Sequence, residues 1–411
     1  MADSLTAHTE ISSDVLVVGG GPAGSTIAAL LAERGFDVVV AEKDRHPRFH
    51  IGESLLPLNL PLFERLGLSE QIAAIGMPKF GAEFVSPQHE KSVTYEFAGA
   101  WHKDRPHAYQ VRRSVFDHLL LKNAVAKGAR LFEECRVLEV DFPEGEGGGV
   151  IAEAQVGEGE VLSFKARFLV DASGRDTFLA NRFNIKNRNR QHESAALFGH
   201  FTGARRLQGR AEGNISICWF EHGWFWFIPL ADGTTSVGAV CRPPYFKTRK
   251  SDLRTFFMET IAQCPEVAQR LKDATLASEV IATGNYSYRA RQMMGERYLM
   301  VGDAYAFIDP MFSSGVYLAM NSGFLGAETV EAILRDPARA GIARRRFDSE
   351  IRRGLDTFSW FIYRATAPSF RALFMAPRNI FRVVEALISL LSGDVFGRAP
   401  IGPSLAAFKL F

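Results

Sequence analysis

The residues of this 411-residue chain best suited to chemistry begin with a glycine run, Gly19-Gly20-Gly21-Pro22-Ala23-Gly24. It follows an apolar strand-like stretch, Asp14 to Val18, and opens a helical run from Ser25 to Arg34 that Gly35 closes. Asp37 to Ala41 reads as the next strand and ends at Glu42. In that setting Gly19 makes the turn, Gly21 lets a pyrophosphate approach the backbone, Gly24 lets helix pack on strand, and Glu42 holds a ribose. An acid at 42 favours an unphosphorylated adenosine ribose, and so FAD or NAD over NADP.

A second stretch, Arg297 to Val316, reads as a strand (Tyr298 to Val301), a break at Gly302-Asp303, a loop holding Asp309-Pro310, and a helix entered at Ser313 to Val316. Apolar residues recur at helical spacing from Tyr317 to Leu334, so the amides of Ser314, Gly315 and Val316 are free at a positive helix end. Such an end holds anions, here either the N1–C2=O edge of a reduced flavin or a halide. A simple turn capped by Ser313 or Ser314 is the structural alternative.

The choice between FAD and NAD turns on two further strand ends, Asp171-Ala172-Ser173-Gly174 and Gly302-Asp303. NAD does not need them, whereas the ribityl chain and pyrophosphate of FAD use both. Asp303 accepts from a ribityl hydroxyl or forms an Asx turn. One of Arg112 and Arg113, ahead of a helix from Ser114 to Lys127, meets pyrophosphate or the two form a solvated pair. Val137 lies on a strand suited to flank adenine, and Gly145 to Gly149, with no helix after it, is a hairpin tip.

These residues need elements to position them. The spacing predicts an α/β fold: a Rossmann-like FAD-binding domain of the glutathione-reductase type over residues 1–75, 112–185 and 280–335. An antiparallel-sheet substrate domain is inserted at 76–111 and 186–279, and a helical cap follows at 336–411. Within the sheet, Trp224, Trp226 and Ile228 share one face of a strand that ends at Pro229, and Phe225 and Phe227 share the other. Residues 250–272 read as one helix and 336–396 as two or three, with Arg344-Arg345-Arg346 and Arg352-Arg353 on exposed faces that either dock an acidic carrier protein or are simply solvated.

Composition removes several classes. A net charge of +2 with 23% charged residues gives no polyelectrolyte character and no case for nucleic acid. The four cysteines have no CxxC and no histidine at ligand spacing, so neither a disulfide framework nor a metal site is expected. The first residues lack a signal-peptide core and no apolar run suits a transmembrane segment, which predicts a cytoplasmic protein.

Taken together, the motifs resemble the flavin-dependent halogenases, a branch of the aromatic-hydroxylase-like flavoproteins. The resemblance covers most of residues 13–335. Trp224-Phe225-Trp226-Phe227-Ile228-Pro229 matches the family's WxWxIP, Phe307 to Gly315 matches its FxxPxxSxG, and Lys79 falls where the family places its catalytic lysine. Gly52 to Pro57 is also typical, though shared with prenyl reductases. The resemblance implies that FADH2 from a separate NAD(P)H flavin reductase, with O2 and chloride or bromide, yields hypohalous acid. It implies cofactor contacts from Gly19, Gly21, Pro22, Ala23, Gly24, Glu42, Lys43, Ser54, Arg113, Val137, Asp303, Pro310, Gly315 and Val316, and a halide at Ser314 and Gly315. Trp224, Trp226, Ile228 and Pro229 would partition flavin from substrate, and Lys79 would receive the oxidant as an ammonium hydrogen-bond donor or as a transient chloramine.

Only about 75 residues remain after the helix that follows Val316, which argues against the longer tryptophan-specific branch. An electron-rich phenol or pyrrole, free or tethered to a carrier protein, is the expected substrate. Phe358, Trp360, Phe361, Tyr363, Phe370 and Phe374 are candidates to line or plug its pocket. The alternatives are an aromatic monooxygenase, a prenyl reductase, and a flavoprotein kept only as a carrier-binding module.

Overall fold

The computed structural model describes residues 9–145, 148–284, 287–365, 368–396 and 399–410. The β-branched run ending at Val18 is the centre of a seven-stranded sheet. Thr9–Val18 pairs in parallel with Val38–Ala41 on one side and Glu160–Asp171 on the other. Arg130–Phe132 extends one edge, and the antiparallel strands Val150–Val156 and Cys135–Asp141 extend the other. Residues 146 and 147 of the expected hairpin tip lie outside the described residues. Tyr298–Met300 also joins Glu160–Asp171 in parallel, which brings the second flavin half, 300 residues along the chain, beside the glycine turn. Val15, Leu16 and Val17 are wholly buried, each such side chain contributing roughly 1.5–3 kcal/mol.

The second sheet has eight strands. Its central order is Ala195–Thr202, Thr235–Cys241, Gly223–Pro229, Ile215–Phe220, Gly81–Ser86, Lys91–Glu96. It is mixed rather than purely antiparallel as expected, because Ile215–Phe220 pairs in parallel with Gly81–Ser86. These two strands are distant in sequence and joined by no hairpin, so nothing local dictated their sense. Ile281–Thr283, assigned by spacing to the FAD-binding domain, pairs with Ala195–Thr202 of this sheet. Its pairing register, not the turn signals near it, decides where it belongs.

The helix expected over 250–272 is two, Leu253–Ala262 and Pro265–Arg270, because Pro265 cannot continue the first. After the site helix Gly315–Arg335 come Pro337–Ala365, Pro368–Met375, Val383–Leu391 and Gly402–Leu410. No helix among the described residues is long and apolar enough to cross a membrane. The four cysteines are buried free thiols, and the described residues contain no group of His, Cys, Asp and Glu suited to a metal ion.

Candidate active site

Both parallel strand ends open into a cavity of about 630 Å³, in the range of cofactor sites. At its entrance the glycines divide by role. Gly19 has φ +104°, and a Cβ there would meet the carbonyl oxygen of Ala172 at 2.4 Å. A Cβ on Gly24 would lie 1.9 Å from the carbonyl oxygen of Gly19, so this glycine packs helix on turn and does not itself line the cavity. Gly21 and Gly315 differ. The nearest atom to a Cβ on Gly21 is Nη2 of Arg48 at 3.7 Å, and one on Gly315 would meet nothing within 4 Å. The protein does not need a glycine at either position; a ligand pressed against the backbone would.

Glu42 ties the turn to the strand end, accepting from the Gly20 amide at 2.6 Å and the Asp44 amide at 2.9 Å. Pro22, Ala23, Lys43, Ser54, Arg113, Val137, Asp303, Pro310 and Val316 also line the cavity. Arg113 is braced: its Nε and Nη2 clamp Asp117 at 2.7 and 2.9 Å, and Nη1 donates to the Ile51 carbonyl at 2.8 Å. Arg48, which sequence reasoning missed, is the freer cation. Its Nε and Nη1 make no hydrogen bond and sit 3.5–3.9 Å from the carboxylates of Glu42, Asp44 and Asp117. A guanidinium with unsatisfied donors above Gly21 suits a pyrophosphate, and these residues together fit FAD.

At the far end, helix Gly315–Arg335 begins within the entry read at Ser313 to Val316. Ser314 is its N-cap but makes no side-chain cap bond, and Ser313 sits at φ +58°, so neither serine makes the side-chain cap of the alternative reading. The first internal bond runs from the Leu318 amide to the Ser314 carbonyl at 2.9 Å, leaving the Gly315 and Val316 amides without a helical acceptor. Ser314, Gly315 and Val316 all line the cavity. Asp309 caps the preceding turn through the Met311 amide at 3.0 Å, and burial pushes its carboxyl up to about 6. Burial likewise pushes Asp303 up to about 6, against the pull of Arg175 and Arg113.

Strand Gly223–Pro229 presents its two faces as expected. Trp224, Trp226 and Ile228 line the cavity, whereas Phe225 and Phe227 belong to a separate core beneath the helices 253–270. Pro229 closes the strand without lining the cavity. The Trp226 indole lies across Gly238 of the neighbouring strand, where a Cβ would come within 2.1 Å of the ring. Its Nε1 donates to Ser236 at 3.2 Å.

Lys79 does not line this cavity. It ends the short strand Met77–Lys79, is 1% exposed, and donates to Ser54 Oγ at 2.9 Å and to the Leu55 carbonyl at 3.1 Å. Ser54 lines the cavity, so its hydroxyl links the cavity wall to the buried lysine. The Phe97 ring packs 5.2 Å from Nζ, no carboxylate among the described residues pairs with Nζ, and burial pushes Lys79 down to about 7.

One more feature escaped sequence reasoning. His200 Nε2 lies 2.9 Å from the carboxylate of Glu53, a buried pair 147 residues apart that pins the loop before Ser54 to the second sheet. No local signal marks it. The C-terminal aromatics, candidates to line or plug a substrate pocket, do not line this cavity and pack into the core: Phe374 lies 4.8 Å from Phe84 and 4.9 Å from Tyr95, and Phe361 stacks on Phe312 at 4.5 Å. From the cap, Ile351 and Leu355 reach the cavity instead.

The family described as FAD binding domain matches residues 12–344. The chain is 36% identical over 334 residues to the tryptophan 2-halogenase of Chondromyces crocatus, covering 79% of this chain and 62% of that protein. It is 30% identical over 412 residues to the 1H-pyrrole-2-carbonyl peptidyl-carrier-protein chlorinase of Pseudomonas fluorescens, covering 93% of this chain and 89% of that one. Among solved structures, the myxobacterial chondrochloren halogenase CndH superposes with a TM-score of 0.81 at 33% identity, over 95% of this chain and 92% of that one.

Proposed function

The chain belongs to the flavin-dependent halogenases of the FAD-binding-domain family, and from that premise we propose that it halogenates an electron-rich phenol or pyrrole, presented on a carrier protein, through Lys79. Reduced FAD, when bound, supplies the two electrons with which O2 oxidises chloride or bromide to hypohalous acid. The chain's residues hold the halide, confine the oxidant and deliver it. The amides of Gly315 and Val316, at the positive end of a 21-residue helix, take the halide. Trp224 and Trp226 wall the cavity, so that an aromatic substrate does not reach the flavin.

The observation that carries the reading is the environment of Lys79. A lysine buried with no carboxylate partner among the described residues, and pushed down to about 7, is in part a free amine at neutral pH. That amine attacks the halogen of HOX, forming an N–X bond and releasing water. The N–X halogen then passes to the ring carbon, the ring proton leaves, and the amine is restored. Ser54 Oγ, hydrogen-bonded to Nζ and facing the cavity, marks the crossing point. The length shared with the pyrrole-carrier chlorinase, 89% against 62% for the tryptophan enzyme, favours a carrier-borne ring over free tryptophan.

The test supplies FADH2 from a separate NAD(P)H flavin reductase, with O2 and either halide, to a panel of phenols, pyrrole-2-carbonyl carrier thioesters and tryptophan. Halogen isotope patterns in the carrier-borne products are expected from wild type and not from Lys79→Ala, with FAD binding retained. Preferential halogenation of tryptophan, or full activity in Lys79→Ala, would sink the assignment.

A further inference from the structure

The arginines that the sequence offered as a docking face are largely neutralised within the chain. Arg346 pairs with Glu328 at 2.8 Å, Arg352 with Asp348 at 2.9 Å, Arg353 with Glu350, and Arg344 donates to the Glu296 carbonyl at 2.8 Å. A less compensated stretch of charge lies further on. Residues 357–384 hold Arg364, Arg371, Arg378 and Arg382 and not one Asp or Glu.

Three of these four share a stretch with the most exposed apolar side chain of the described residues, Phe381 at 71%, next to Ile380 at 47%. Arg371 lies over the Trp219 ring at 5.0 Å, and Arg382 over Trp101 at 3.8 Å with Glu385 its ion-pair partner at 3.3 Å. Arg378 is exposed and has no partner among the described residues. Aromatic faces orient these guanidiniums without cancelling their charge. Phe381 and Arg382 are both held at positive φ, 54° and 59°, with the Phe381 ring left in water.

The surface also has a bearing on Lys79. Trp101 follows the turn Phe97–Gly99, whose Phe97 ring packs against Lys79 Nζ. The Trp101 amide donates to Ser389 Oγ at 2.8 Å, beside a groove of about 270 Å³ that Ala100 and Ser389 help to line. This groove shares no residue with the flavin cavity, does not include Lys79 in its lining, and carries Asp104, Arg105 and Asp394 on its walls.

We propose that Arg371, Arg378, Ile380, Phe381 and Arg382 form the docking surface for a small acidic carrier domain that presents the aromatic ring on a phosphopantetheine arm. The proposal rests on the carrier-borne substrate of the preceding section. Phe381 is the apolar anchor, the arginines meet the carrier's acidic side chains and the arm's phosphodiester, and the groove beside Trp101 receives the arm.

The probe is an acidic carrier protein loaded with pyrrole-2-carbonyl on its pantetheine arm, measured against the FAD-loaded enzyme and the variants Phe381→Ser and Arg378→Glu. Each variant should weaken binding by about tenfold or more and raise KM for the loaded carrier with kcat unchanged. Conversion of a free phenol should stay as in wild type, and added salt should weaken wild-type binding more than that of Arg378→Glu. Binding of both variants at wild-type strength would overturn the docking surface, as would a wild type that ignores the carrier but self-associates, or binds phosphatidylserine vesicles, through Phe381. If the carrier binds wild type and not the variants, yet its ring is never halogenated, the docking surface stands and the substrate reading falls.

Discussion

At the scale of single residues, Lys79 is the position whose cost most needs a reason. Its side chain gives up hydration and gains Ser54 Oγ, one carbonyl and the face of the Phe97 ring. Its folded pKa of about 7 lies below the 10.5 of the exposed group, so between those values the unfolded chain binds the extra proton and stability rises with pH. The penalty is therefore full below pH 7 and fades as pH climbs toward 10.5. Lys79→Met, of similar length, should stabilise the fold by on the order of a few kcal/mol at pH 6.5, less whatever the orphaned Leu55 carbonyl costs. The gap should narrow at pH 9.5 in denaturant titrations, while halogenation is abolished. A variant less stable than wild type at both pH values would make this lysine a structural residue. Product formation by wild type should rise with pH through about 7, as the free amine forms. In the sequence this lysine is an ordinary one near a turn, and only its register against the family's motifs marks it.

At the scale of elements, two glycines at helix starts separate packing from ligand contact. Gly24→Ala drives a methyl into the Gly19 carbonyl and should unfold the turn, with loss of FAD and a lowered Tm. Gly315→Ala adds a methyl that meets no protein atom and raises helix propensity by about 1 kcal/mol. Its Tm should be equal or higher, while the halide concentration for half-maximal rate rises roughly tenfold through steric exclusion at the helix end. An unchanged halide requirement in Gly315→Ala would remove the halide from this helix. The strand–turn–helix at 14–34 was legible because all its determinants are local. The parallel pairing of Ile215–Phe220 with Gly81–Ser86, the Glu53–His200 pair and the Arg48 guanidinium were not, since each depends on a partner chosen by the tertiary fold. The single helix read over 250–272 failed for a local reason, the proline at 265, which a stricter reading of the sequence would have caught.

At the scale of the molecule, the FAD-binding sheet, the tryptophan face of the second sheet and the C-terminal helices share one continuous apolar core, in which Val15, Trp226, Phe374 and Leu387 all belong. The helical cap, weakest in motif and longest in aromatic run, is thus fused to the site by packing. Its aromatics are legible as apolar helix faces, but which pocket they fill is not. Phe374 sits at the junction, with its ring on Phe84 and its carbonyl accepting from Tyr95 Oη at 2.5 Å. Phe374→Ala keeps that hydrogen bond and leaves a cavity, so the loss of about 3–5 kcal/mol is a packing term. If the three parts are one cooperative unit, the lowered transition should appear at the same temperature by bound-flavin fluorescence, near-ultraviolet tryptophan dichroism and far-ultraviolet helicity. Helix loss preceding flavin release would instead mean that the cap opens alone.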